Sequence, residues 1–326
     1  MKYKTRLTYI ILGVLLVLSA LTSLVFGAVS LSPSELFGAV LQKEGFESAR
    51  IILFSLRLPR LLSAIVAGAG LALSGAVLQL IMGNELVSPN TIGVNAGAGL
   101  AVIISLTALP NLTPLTPVWA FAGAFITLLL IIGFSKGSGG SKSSVVLAGI
   151  ALSTLFQAGI SFFSILDSDV LGMYSAFSVG SFMGVTLNDL LIPSALIILS
   201  IAASVILAPA MAALSLGDRI AAGIGVKVQL TRILCLAIAG LSAASVISFA
   251  GLLGFVGLIV PHITRRLVGS GTRQYIIASP LIGAILVILS DLAGRCILAP
   301  TEIPVGIVMA FIGSPFFLAL LLNQRR

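Results

Sequence analysis

Few residues in this chain carry side chains that could do chemistry, and their scarcity narrows the options. There is a single histidine, His262, which excludes a metal centre built from several histidines of one chain. Cys235 and Cys296 are the only cysteines, and each stands inside an apolar run, so neither a disulfide framework nor a zinc site is indicated. No Walker-type GxxxxGK(S/T) pattern occurs. The nearest approach, Gly139-Gly140-Ser141-Lys142, lacks the spacing that cradles a phosphate. Any ATP hydrolysis connected with this chain therefore belongs to another subunit. A serine hydrolase would have to pair Ser74, in LALSG, with His262 as its base. Ser74 falls in the middle of one apolar run and His262 at the edge of another, so their depths do not match.

Charged groups inside apolar runs are the second source of chemistry. An ion-coupled transporter needs acidic groups near the middle of the membrane. Only Glu85, at the end of a run, and Asp291, inside one, are candidates. Asp291 stands four residues before Arg295, the spacing of an ion pair on one helix face. Arg57 and Arg60 lie three apart, with Pro59 between them as a helix opener, and share a face at a membrane surface. They read either as snorkelling arginines or as a basic lip that docks the carboxylates of an external partner. The polar stretch Leu214–Arg232, LSLGDRIAAGIGVKVQLTR, sits between long apolar runs. Asp218 is placed to cap a short helix over Arg219–Ala222, Gly223 or Gly225 to end it, and a second turn restarts near Val226. It reads either as a solvated loop or as a knob that enters another protein's groove.

The elements that carry these residues follow from composition. Apolar residues make up 58% of the chain and charged residues 9%, against roughly a quarter charged in soluble domains. The fold class is all-α, a polytopic transmembrane helical bundle forming a single domain over residues 1–326. Continuous rather than alternating apolar runs exclude a barrel. The formal charge of +8 reflects the positive-inside bias of a membrane protein, not a nucleic-acid partner. Candidate spans are Leu7–Val29 (an uncleaved first span, too long for a signal peptide), Leu61–Met82, Thr91–Leu109, Pro117–Phe134, Ser144–Leu166, Leu190–Pro209, Ile276–Ile297 and Pro304–Leu322. Between Arg232 and Arg265 no Asp, Glu, Lys or Arg occurs, and that run is long for one span. Gly251, Gly254 and Gly257 offer a break within it, giving ten spans with both termini inside. Basic residues support this orientation. Lys2, Lys4, Arg6, Lys136, Lys142, Arg219, Lys227, Arg232, Arg265, Arg266, Arg273, Arg325 and Arg326 fall inside, against Lys43, Arg50, Arg57, Arg60 and Arg295 outside. Asp167–Asp189 is too polar to span and reads as a short helix at the outer face. Gly93 and Gly97 make a small-xxx-small pair for close helix approach.

Five stretches taken together carry a resemblance. RLPR at Arg57–Arg60, GAGLALSGAVLQ at Gly68–Gln79, LGDRIAAGIGV at Leu216–Val226, GFVGLIVPHITR at Gly254–Arg265 and EIPVGIVMAFIGSPFFLALL at Glu302–Leu321 resemble the permease subunits of the iron–siderophore, haem and vitamin B12 importers. These are the FecCD-type permeases of type II ABC importers. The resemblance implies no catalysis and no cofactor in this chain. It implies a homodimer or a pairing with a homologous permease, two cytoplasmic ATPase subunits, an external binding protein and a bacterial cell membrane. By the same resemblance Arg57, Arg60 and Arg295 dock the binding protein. The coupling helix that enters the ATPase groove is Leu216–Val228, with Leu216, Gly217, Asp218, Arg219, Ala221, Ala222, Gly225 and Val226 at its contact. The inner gate maps to Asn84, Glu85 and Leu86, with Lys142 and Ser143. Two departures stand out. Where the family pattern reads Asn-Pro-Leu-Ala, this chain has Asn84-Glu85-Leu86-Val87, and Ala222-Gly223-Ile224-Gly225 is richer in glycine than expected. Ferric siderophores are the first substrate expectation, haem and cobalamin the alternatives within the family, and an ion-coupled secondary transporter the alternative class.

Overall fold

The structure is a computed structural model that describes residues 2–27, 32–137, 142–269 and 271–323. The end of the expected first span at Ala28–Val29, Gly139–Ser141, and Arg325 and Arg326 lie outside the described residues. The described residues form fourteen α-helices and no strand, as the continuous apolar runs require. In chain order the helices are α1 (Lys2–Val25), α2 (Pro33–Val40), α3 (Glu47–Ile51), α4 (Leu58–Met82), α5 (Val94–Ala108), α6 (Thr116–Gly137) and α7 (Lys142–Leu166). They continue as α8 (Ser168–Val179), α9 (Leu187–Ser215), α10 (Asp218–Gly223), α11 (Val228–Ala250), α12 (Val256–Val268), α13 (Thr272–Cys296) and α14 (Val305–Asn323). Among the described residues seven helical stretches are long and apolar enough to cross a membrane, and two more apolar helices are shorter. The 15 residues of α5 reach only about 22 Å, less than the hydrocarbon thickness of a bilayer.

Local chemistry explains several helix ends. Ser32 and Glu35 close a capping box at the start of α2, and Thr186 and Asp189 do the same for α9. Asp167 caps α8 by accepting from the N–H groups of Asp169 and Val170, so the polar 167–189 segment holds the short helix expected there. α4 stops at Gly83, which takes the left-handed conformation that a residue with a Cβ resists. Three boundaries depart from the sequence reading. Pro59 does not open a span: the helix runs unbroken from Glu47 to Met82 through a π-helical turn at Ile52–Arg57. α9 continues through Pro209 to Ser215. The break in the 232–265 run falls at 251–255, while Gly257 lies inside α12.

α4 is the axis of the bundle. It packs against α13, α11, α12 and α9, and its 71–81 stretch is completely enclosed. Glycines permit this. A Cβ on Gly68 would strike the carbonyl of Gly283 in α13, and one on Gly75 would strike that of Gly257 in α12. Hydrocarbon gives helices no hydrophobic reason to associate, so close backbone approach supplies the van der Waals contact instead. Hydroxyls add directed bonds between α4 and α11. Ser74 donates to the carbonyl of Ala239 at 2.7 Å, and Ser242 to that of Gly70 at 2.9 Å. The expected Gly93/Gly97 pair faces two neighbours rather than one. Gly93 abuts Gly149 and Ser153 of α7, and Gly97 abuts Gly123 and Thr127 of α6. Gly93 is the N-cap of α5 in a left-handed conformation, outside the helix that carries Gly97. Replacing Gly68 by Leu is expected to force α4 and α13 apart and to cost about 1–3 kcal/mol, visible as a lowered thermal midpoint of the purified protein in detergent.

Candidate functional site

The charged groups gather at two ends of the bundle. At the first, Asp291 of α13 is 1% exposed and lies between two arginines. Its Oδ1 accepts from Arg60 Nε at 2.8 Å and its Oδ2 from Arg295 Nε at 3.0 Å. The i,i+4 pair expected from the sequence is therefore formed, and Arg60 joins it from α4. Glu302, at the mouth of α14, accepts from Arg60 Nη1. Arg295 also donates from Nη1 to the carbonyl of Phe26, and from Nη2 to the carbonyl and hydroxyl of Ser23. Arg57 donates from Nη1 to the carbonyls of Leu24 and Val25, so it caps the C-terminal end of α1. Arg57 and Arg60 thus do not project into solvent as the helix-face reading implied; Arg57 is only 6% exposed. Arg57 turns to the end of α1, and Arg60 to Asp291 and Glu302. A cavity of about 500 Å³ opens beside this cluster, with Arg57, Arg60, Arg295 and Glu302 in its wall together with the 182–186 strip.

At the other end two separate constellations form. α10 is a single short helix, but Asp218 does not cap it. The helix starts from Gly217, which has a positive φ, and both Asp218 oxygens accept from Arg232 Nη2, at 2.7 and 2.8 Å. The buried arginine at the start of α11 outcompetes the local backbone for this carboxylate. Ala221 is buried, Gly225 has a positive φ, and Val226 N–H returns to the carbonyl of Ala221. Ile220 within α10, and Leu216 and Ile224 just beyond its two ends, remain exposed on the surface. Sequence reasoning named only Leu216 of the three, although the spacing was legible.

The second constellation surrounds the turn after α4. Glu85 accepts from Arg265 Nη1 at 3.0 Å, and its other oxygen lies 3.4 Å from His262 Nδ1. Lys142 Nζ stands 3.3 Å from where a Cβ on Gly83 would be, so the 84–86 turn and the start of α7 meet in space. Ser143 is exposed next to it. The hydrolase pairing is absent, since the Ser74 hydroxyl is bonded to Ala239 and His262 faces Glu85. No group of His, Cys, Asp and Glu able to hold a metal occurs among the described residues.

One polar feature escaped the sequence reading. On α7 the exposed residues Thr154, Gln157 and Ser161 recur at spacings of three and four, one face of a helix buried over only about a fifth of its length. Thr154 and Ser161 bond back to their own helix, but the Gln157 carboxamide has no hydrogen-bond partner among the described residues. An unsatisfied amide is costly in hydrocarbon, so this face does not suit lipid.

The shared carboxylate of Asp291 has a consequence for stability. Replacing Asp291 by Asn leaves Arg60 and Arg295 buried without their shared anion, at a cost of about 3–5 kcal/mol. A clear drop in the thermal midpoint in detergent checks it.

This arrangement has relatives. The model of the FecCD transport family matches residues 15–323. The Fe(3+)-citrate import system permease protein YfmE of Bacillus subtilis is 36% identical over 324 residues, covering 98% of this chain and 96% of that protein. The hemin transport system permease protein HmuU of Yersinia pestis is 32% identical over 330 residues, covering 99% and 98%. A solved structure described as an inward-facing conformation of a metal-chelate type ABC transporter superposes with a TM-score of 0.86 at 31% identity, covering 98% and 99%. With a matching family model over nearly its whole length, an all-helical membrane bundle and no nucleotide motif of its own, this chain belongs to the FecCD transport family, the permease components of ABC importers.

Proposed function

We propose that the chain is one half of the translocation path of an ATP-driven importer for ferric siderophores in a bacterial cell membrane. Permeases similar to it are named for Fe(3+)-citrate, Fe(3+)-hydroxamate, hemin and cobalamin import. Iron chelates are the most frequent class among them, which favours a ferric siderophore over haem or cobalamin. The helices follow a ten-span path with both termini in the cytoplasm, and the basic residues lean to that side. Two copies, or this chain with a homologous permease, enclose the path. The polar face of α7 supports that arrangement, because Gln157 needs water or a polar partner that lipid does not offer.

The observation that carries the coupling assignment is the three exposed apolar residues Leu216, Ile220 and Ile224, within and at the two ends of a short helix anchored by Asp218 and Arg232. A rigid knob with an apolar edge suits the groove of a partner protein better than it suits water. ATPase subunits closing on ATP move Leu216–Val228, and the path alternates its access. At the other end Arg57, Arg60 and Arg295 form the docking region for an external binding protein. Their charge lies beneath the mouth of the 500 Å³ cavity, where it attracts carboxylates even though the guanidiniums bond inward. Asn84–Leu86, Lys142 and Ser143 form the inner gate. With a path lined by weakly polar groups, the external protein does most of the substrate recognition.

Binding measurements on the external protein encoded beside this chain, titrated with ferric siderophores, haem and cobalamin, decide the substrate; tight binding of haem or cobalamin alone overturns the siderophore assignment. Asp218→Lys, or Ala221→Pro, is expected to leave ATP hydrolysis running while chelate uptake in proteoliposomes falls at least tenfold. Normal coupled uptake in both variants counts against the coupling role. Arg60→Glu is expected to weaken capture of the binding protein in a pull-down, and a variant that folds and still binds it at wild-type affinity removes Arg60 from the docking region.

A further inference from the structure

The turn Asn84-Glu85-Leu86-Val87 closes on itself. Val87 N–H reaches the carbonyl of Asn84 at 3.4 Å, and Asn84 Oδ1 accepts from Leu86 N–H at 2.9 Å. Glu85 therefore sits at the second position of a β-turn, where proline is favoured because its ring fixes φ at the value required. Glutamate brings no such constraint. What it brings is a carboxylate, and α12 offers two basic groups to it, Arg265 at 3.0 Å and His262 at 3.4 Å. Both partners are themselves held. Arg265 lies over the ring of Tyr275 in α13, 5.4 Å from its centroid, and His262 meets Phe316 of α14 edge-on at 6.0 Å. On the far side of the turn Lys142 approaches Gly83. The turn is thus gripped from α12 by charge, and through α12 it is tied to α13 and α14.

We propose that Glu85 is a gate-positioning residue, whose ion pair with Arg265, with the His262 ring beside it, clamps the inner-gate turn to α12 in place of the rigidity a proline would supply. This rests on the assignment of Asn84–Leu86 as the inner gate. The clamp makes the turn move with α12 rather than with the end of α4, so the gate segment follows the helix that lies just beyond the 251–255 break. It also makes the gate sensitive to salt, since Glu85 and Arg265 are 37% and 42% exposed and their attraction is screened. Val87, buried directly after the clamp, reports its opening.

The test uses the full chain assembled with its ATPase subunits and binding protein, carrying Val87→Cys and Cys296→Ser, because Cys296 is exposed whereas Cys235 is buried. The rate at which a thiol reagent on the ATPase side modifies the sulfur introduced by Val87→Cys is followed. Glu85→Gln is expected to raise it about two- to five-fold at low salt, the range open to a partly exposed ion pair, and high salt should bring the parent towards the same rate. Arg265→Gln alone should act similarly, and the two together should be no worse than either. Glu85→Pro should return the rate to that of the parent, which loss of a merely structural charge would not permit. Additive single effects, or a proline variant as reactive as the glutamine one, overturn the clamp. Modification that responds to nucleotide through the cycle yet is identical in Glu85→Gln and the parent also overturns it, while leaving the gate assignment standing. Modification that never changes through the cycle overturns the gate assignment itself.

Discussion

The fold depends on how closely backbones approach along α4. Lipid solvates leucine as well as a neighbouring helix does, so apolar area by itself does not hold these helices together. Contact comes from the places where side chains are missing, at Gly68 against Gly283 and at Gly75 against Gly257. Once the backbones touch, Ser74 of α4 and Ser242 of α11 each come within reach of a carbonyl on the other helix and bond to it. Gln79 then bridges α12 and α13 through the carbonyl of Gly257 and the hydroxyl of Tyr275. Glycines thus bring α4 against α12 and α13, while hydroxyl-to-carbonyl bonds tie it to α11.

A bundle so built has little tolerance for charge within it, and the charges sit where they are neutralised together. Asp291 is shared by Arg60 and Arg295, and Glu302 takes another arm of Arg60. The cluster joins α4, α13 and the end of α1, through the carbonyls of residues 23–26 that two arginines cap. At the opposite end Asp218 holds α10 against α11, and Glu85 holds a turn against α12. In each case an ion pair fixes a short, otherwise weakly anchored segment to a long helix. Such segments have few apolar contacts of their own, and charge supplies the attachment that packing does not.

Much of this was legible in the residues. Continuous apolar runs gave an all-helical membrane bundle, glycines in the 232–265 run marked a break, and the Asp291–Arg295 spacing marked an ion pair. The motif set placed the chain in its family. Less legible was where polar side chains end up. Asp218 has the right position to cap α10, yet it bonds to Arg232, fourteen residues on. Arg57 and Arg60 have the right spacing for an exposed pair, yet the carbonyls of α1 draw in Arg57 and the carboxylates of Asp291 and Glu302 draw in Arg60. Gln157 lies on a face of α7 that the other helices leave open.

The division follows from the range of the forces. Composition, apolar run length and glycine placement act within a few residues, so the amino-acid sequence by itself determined the long apolar helices and the class of protein. Which carboxylate each arginine meets, which glycine faces which helix, and which stripe stays uncovered depend on residues far apart in the chain. Arg60 and Glu302 are 242 positions apart and Glu85 and Arg265 are 180 apart. Those pairings were decided only by the tertiary structure, because a buried charge or backbone group must find whatever partner the packed helices bring within hydrogen-bonding distance.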